Sequence, residues 1–147
     1  MTSKLDYAKK KVEYSHINAT CFDSSNAIEN KIDDLQNIRF KTPVGFIYKA
    51  HIVQCKTWKG MYVALVKILC HENVHKVKNF YIRRPTRDGG VKKYSYKNYY
   101  YPIKIFGTNL TIETNRSAAD LVKKMSGLLE NFSISNQVNF YIKKVED

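Results

Sequence analysis

The spacing of apolar positions divides the chain into a helical opening, a long stretch with strand-like periods, and a helix followed by one more strand. In residues 24–38, Ile28, Ile32, Leu35 and Ile38 recur at helical spacing, with Ser24 or Ser25 as the cap and Glu29, Asp33 and Asp34 on the other face. This pattern predicts a helix, ended by Pro43 and Gly45. Residues 45–55 alternate Phe46, Tyr48, Ala50 and Ile52 against Ile47, Lys49, His51 and Val53, which predicts a strand. Residues 56–60 read as a turn in which Gly60 is able to take a positive φ. Residues 61–70 are apolar on both faces, and the expectation is a central strand. Residues 71–76 read as a loop and 77–84 as a third strand. Residues 85–90 contain Asp-Gly-Gly, a hairpin signal, and 91–101 read as the return strand. Residues 103–106 with 110–113 complete a fifth strand around a turn or bulge at Gly107-Thr108-Asn109.

The clearest pattern lies in residues 116–132, where Leu121, Val122, Met125, Leu128, Leu129 and Phe132 form a single apolar stripe. A helix of that kind, capped by Thr114 or Asn115, has to lie on a sheet. Residues 138–145 alternate Val138, Phe140 and Ile142 against Asn139, Tyr141 and Lys143, which predicts a last strand. The expected architecture is α+β in one domain spanning residues 1–147. An antiparallel β-sheet of about five to six strands carries helices packed on one face, and its other face is open. Residues 1–15 read as a short polar helix or a mobile N-terminal arm. No internal repeat or Gly/Ser-rich linker divides the chain.

Length and composition change this picture little. A chain of 147 residues buries roughly 70% of its unfolded surface, so it needs no disulfide or metal staple. Three cysteines without a framework spacing read as reduced thiols, and no apolar run reads as a signal peptide or membrane span. The expectation is therefore an intracellular protein, in cytoplasm or nucleus. The richness in Lys, Asn and Tyr is that of an A+T-rich coding sequence, common among viruses and phages.

Charge changes the picture more. The chain carries 25 basic and 13 acidic side chains, net +12. Residues 41–115 hold fourteen of the basic residues and three of the acidic ones (Glu72, Asp88 and Glu113), net +11, together with eight of the eleven tyrosines. Lys and Arg meet phosphates and aromatic faces meet bases, so such a segment suits a polyanion with stackable rings. The candidate nucleic-acid-binding residues are Lys49, Trp58, Lys59, Arg83, Arg84, Arg87, Lys92, Lys93, Tyr94, Tyr96 and Lys97. The arginines form a basic hairpin tip, the tyrosines a stacking strand, and Trp58 a ring exposed in a turn between lysines.

Other chemistries find less support. Cys70, His71, Glu72 and His75, with His51 and Cys55, contain zinc-ligand types, but not at the spacing of a common finger. They read as ordinary loop residues, with no metal and no cofactor. Phosphate-loop, nucleophile-elbow and zinc-protease motifs are missing, so no catalytic residues are assigned and no enzyme is expected. The expected function is binding of single-stranded DNA or RNA with low sequence specificity, by a protein that tends to form homo-oligomers through exposed edge strands. The alternative is a viral or accessory protein-interaction factor whose basic patch docks an acidic protein partner.

Overall fold

The computed structural model describes residues 22, 26–35, 38, 41–82, 89–90 and 101–144. Strand β1 is Ala27–Asn30, β2 is Pro43–Tyr48 and β3 is His51–Gln54. Helix α1 is Trp58–Ile82, β4 is Gly89–Gly90, β5 is Pro102–Lys104 and β6 is Thr111–Glu113. Helix α2 is Ala118–Asn131 and β7 is Val138–Lys143. The strands form a four-stranded antiparallel sheet in the order β1-β7-β2-β3 and a small sheet in the order β4-β6-β5. The α+β class, the antiparallel pairing and the packing of helices on the sheet are as the apolar pattern predicts. The division into two sheets is not.

Helix α2 follows its stripe: Leu121, Val122, Met125, Leu128 and Leu129 are all buried. Its cap is Ser117, whose Oγ accepts from the Asp120 N–H, rather than Thr114 or Asn115. It ends with Ser133 at φ 56, where the Ile134 N–H reaches the Leu129 carbonyl, a left-handed stop usually given to glycine. Strand β7 buries Val138, Phe140 and Ile142 in the core cluster that also holds the apolar side chains of both helices.

Several expectations are overturned. Residues 61–70 and 77–82 are not strands, and 71–76 is not a loop, because residues 58–82 form α1. Met61, Tyr62, Leu65, Val66, Leu69 and Cys70 are buried, while Val63, Ala64 and Ile68 pack partly buried against the same core. A helix enclosed on so much of its circumference leaves no polar stripe, and its sequence mimics a two-sided apolar strand. The expected loop does coincide with a break. Asn73 has φ −159 and ψ 88, and its Oδ1 accepts from the Lys76 N–H, so it caps a second helical segment. Gly60 lies in the first helical turn rather than at a positive φ, and its N–H donates to Thr57 Oγ1.

The predicted helix 24–38 is β1 followed by a 3-10 turn at Ile32–Asp34. Backbone pairing of Ala27–Asn30 with β7 prevails over the helical spacing. Ile32, Leu35 and Ile38 still reach the core, whereas Ile28 is 48% exposed. The single predicted strand 45–55 is a hairpin of β2 and β3, with Tyr48 paired to His51 across the turn Lys49-Ala50.

The sheet face opposite the helices is not open throughout. Phe22 stacks on Tyr141 with ring centroids 4.5 Å apart, and Ile47 is buried on the same side. Gly45 makes this covering possible. A β-carbon there would stand 2.1 Å from the Val53 carbonyl oxygen and 2.6 Å from the Phe22 ring.

Candidate nucleic-acid interface

The described part of the basic segment divides into cations paired with a carboxylate of the chain and cations without one among the described residues. Lys49 belongs to the first group. It sits at φ 53 in the β2–β3 turn, its ammonium 2.6 Å from Glu72 Oε1 and 5.1 Å from the centre of the Tyr48 ring. The Tyr48 hydroxyl donates to both Glu72 oxygens, at 2.9 and 2.8 Å. Burial would raise the Glu72 carboxyl, but the hydrogen bonds from Lys49 and Tyr48 and the charges of Lys49 and His51 hold it below its ordinary value. Burial and the bond to Glu72 push the Tyr48 hydroxyl up. This clasp ties the hairpin turn to α1 one residue before the break at Asn73, and Lys49 is already engaged there.

Trp58 is not the exposed ring expected of a turn. It opens α1, is 8% exposed, and its indole N–H donates to the Lys41 carbonyl at 3.1 Å. It belongs to the core and offers no stacking face. Lys59, the next residue, is exposed, with its ammonium 5.2 Å from the centre of the Tyr101 ring. Tyr101 is 60% exposed. Its backbone N–H is fixed by the buried Glu113 carboxylate, which also accepts from the Asn115 N–H. Arg83, Arg84, Arg87, Lys92, Lys93, Tyr94, Tyr96 and Lys97 lie outside the described residues.

The acidic residues of the segment sharpen this division. Glu72 is committed to Lys49 and Tyr48, and Glu113 is buried against backbone amides. Among the described residues, no carboxylate pairs with Lys56, Lys67 or Lys104, all of which are exposed. Their charge is therefore left to the surface.

The hairpin of β5 and β6 brings Phe106 to its tip, 97% exposed, a residue that sequence reasoning placed in a strand and did not single out. The tip is a tight turn. The Thr108 N–H and hydroxyl both donate to the Ile105 carbonyl, at 3.1 and 2.8 Å, and Thr108 Oγ1 accepts from the Leu110 N–H. Gly107 at φ 79 lets the backbone turn there. Between this tip and α1 lies an open groove of about 480 Å³. Lys67, Cys70, His71 and Val74 line one wall, and residues 105–108 line the other. Burial pushes the Cys70 thiol up to about 11, against the pull of the Lys78 charge, so it adds no negative charge to the groove at neutral pH.

Lys59 meets Tyr101 at the start of α1, and the groove joins Lys67 and His71 to Phe106 farther along. Lys67 and His71 lie about 12 and 18 Å beyond Lys59 along α1 at about 1.5 Å per residue, and Phe106 lies about 17 Å beyond Tyr101 at about 3.3 Å per extended residue. The hairpin thus runs beside the helix as a seam, with an exposed aromatic ring and a lysine at each of two stations. The chain was compared with protein-family models, with curated proteins and with solved structures, and none of the three gives a match. Function must therefore be argued from the site. Among the described residues no three or more His, Cys, Asp or Glu side chains converge as metal ligands, so Cys70, His71, Glu72 and His75 with His51 and Cys55 do not assemble a zinc site. No described helix is long and apolar enough to cross a membrane.

Proposed function

We propose that this protein binds nucleic acid, preferring single strands and discriminating little between sequences. One observation carries the reading: along the α1–hairpin seam, the exposed rings Tyr101 and Phe106 stand beside the uncompensated lysines Lys59 and Lys67. Lysines hold the phosphate backbone, and rings stack bases whatever their identity. The net +11 of residues 41–115 supports the same reading, because the described carboxylates of that segment, Glu72 and Glu113, are already engaged by groups of the chain. Trp58 and Lys49 leave the list of contacts, and Tyr101, Phe106 and Lys67 join it.

Fluorescence anisotropy with labelled single-stranded DNA, single-stranded RNA and duplex, across a salt series, tests the proposal. The expected result is tighter binding of single strands, with log K falling against log salt at about −0.7 per phosphate contacted. Absence of oligonucleotide binding near physiological salt would overturn it and move the basic surface to an acidic protein partner.

A further inference from the structure

The groove between α1 and the hairpin tip is more than a stretch of the seam. Its volume of about 480 Å³ falls within the range of roughly 300–1,000 Å³ typical of small-molecule sites. Its character is mixed in a specific way. Ile105, Val74 and the protonated Cys70 thiol make it apolar below, Lys67 and His71 supply hydrogen-bond donors on one wall, and Phe106 stands at the other. Among the described residues no carboxylate lines it. Phe106 is 97% exposed, and three hydrogen bonds within the turn fix the backbone that carries it at the groove's edge.

We propose that this groove takes one unstacked nucleotide of a single strand, its base against the Phe106 ring and its phosphate on Lys67 and His71. The inference rests on the nucleic-acid reading and names what the groove selects. A flat heteroaromatic ring matches the Phe106 face, and the phosphate matches the two donors. A base in a duplex is stacked on both faces and cannot enter, so the groove accounts for a preference for single strands. An acidic peptide would satisfy Lys67 and His71 but would give Phe106 no ring to stack on.

The test uses the full chain and single strands carrying 2-aminopurine, whose emission falls when it stacks. Wild type is expected to quench the probe. Phe106→Ala is expected to abolish the quenching and weaken binding by about 5- to 150-fold, the range of one stacked base. Phe106→Trp is expected to restore both, whereas Phe106→Leu, apolar but not aromatic, is not. Lys67→Gln is expected to lower the salt slope by about 0.7. Thermal melting of each variant confirms the fold, since the Phe106 side chain lies outside the core. Three outcomes would overturn the groove assignment. If wild type binds the strands but Phe106→Ala binds equally well, the assignment fails and the nucleic-acid reading stands. If wild type binds no strand, both fail. Phe106-dependent binding of a poly-glutamate peptide in place of the strands would replace both with a protein partner.

Discussion

In the four-stranded sheet, aromatic rings meet other rings or the core. Phe46 lies 6.0 Å from Phe140 between sheet and helices, and Phe22 stacks on Tyr141 across the opposite face. Polar groups there are matched as well: the Tyr141 hydroxyl donates to Glu29, and Lys31 to Asn139. In the β5–β6 hairpin the arrangement is reversed. Tyr101 and Phe106 face solvent, and the cations nearest them have no carboxylate among the described residues. One region completes its contacts within the chain, and the other leaves rings and charges exposed. The difference teaches where to look for function.

Substitutions in the two regions should therefore separate stability from binding. The largest effect is expected from Phe140→Ala, which empties the centre of the core and should cost about 3–5 kcal/mol in a urea titration, taking oligonucleotide binding with it. Gly45→Ala should cost about 1–3 kcal/mol by forcing Phe22 or the Val53 carbonyl to move, with the loss read from the same titration. A neutral Gly45→Ala would mean that Phe22 does not close that face.

Smaller effects refine the comparison. Tyr48→Phe should cost about 1 kcal/mol by removing the hydroxyl bonds to Glu72, as a shift of thermal midpoint at neutral pH would show. Because the Glu72 carboxyl is held below its ordinary value, the clasp is intact above the unfolded value near 4.5 and is lost as pH falls through the lower folded value. Glu72→Gln should therefore flatten the acid limb of a stability–pH curve, and an unchanged limb would remove the clasp from the account. Ser133→Gly should raise stability by about 0.5–1 kcal/mol, since glycine accepts the left-handed φ at the end of α2 without strain. The least change in stability is expected from Lys59→Gln, which should leave the melt in place and lower the salt slope of oligonucleotide binding by about 0.7.

What the residues disclose in advance follows from how one-sided each element is. Helix α2 and strand β7 each bury one face, so Leu121 through Leu129, and Val138, Phe140 and Ile142, mark them plainly. Helix α1 is enclosed around most of its first half, and periodicity cannot distinguish such a helix from a buried strand. Its length without Pro was the better signal. The β2–β3 turn was hidden because Lys49-Ala50 has no Gly, Asn or Pro. Lys49 holds its left-handed φ with help from Glu72, which lies 23 positions downstream. The same long-range logic hid the site. Trp58 looked exposed because its acceptor, the Lys41 carbonyl, lies on a different segment, and Phe106 looked like a strand residue until the turn at Gly107 placed it at a tip. Charge segregation was legible throughout, because it depends on composition rather than on fold.

The position of β7 bears on the order in which the molecule assembles. It lies between β1 and β2, and Ala27 pairs with Lys143, more than a hundred residues downstream. The β2–β3 hairpin and both helices form from local contacts and can mature early. Among the described residues strand β1 pairs only with β7, so that pairing waits until residues 138–143 have emerged from the ribosome. Closing so long a loop is slow. During synthesis the edges of β1 and β2 that will face β7 stay bare until the final insertion, and in that interval the nascent chain is most exposed to aggregation and to proteases.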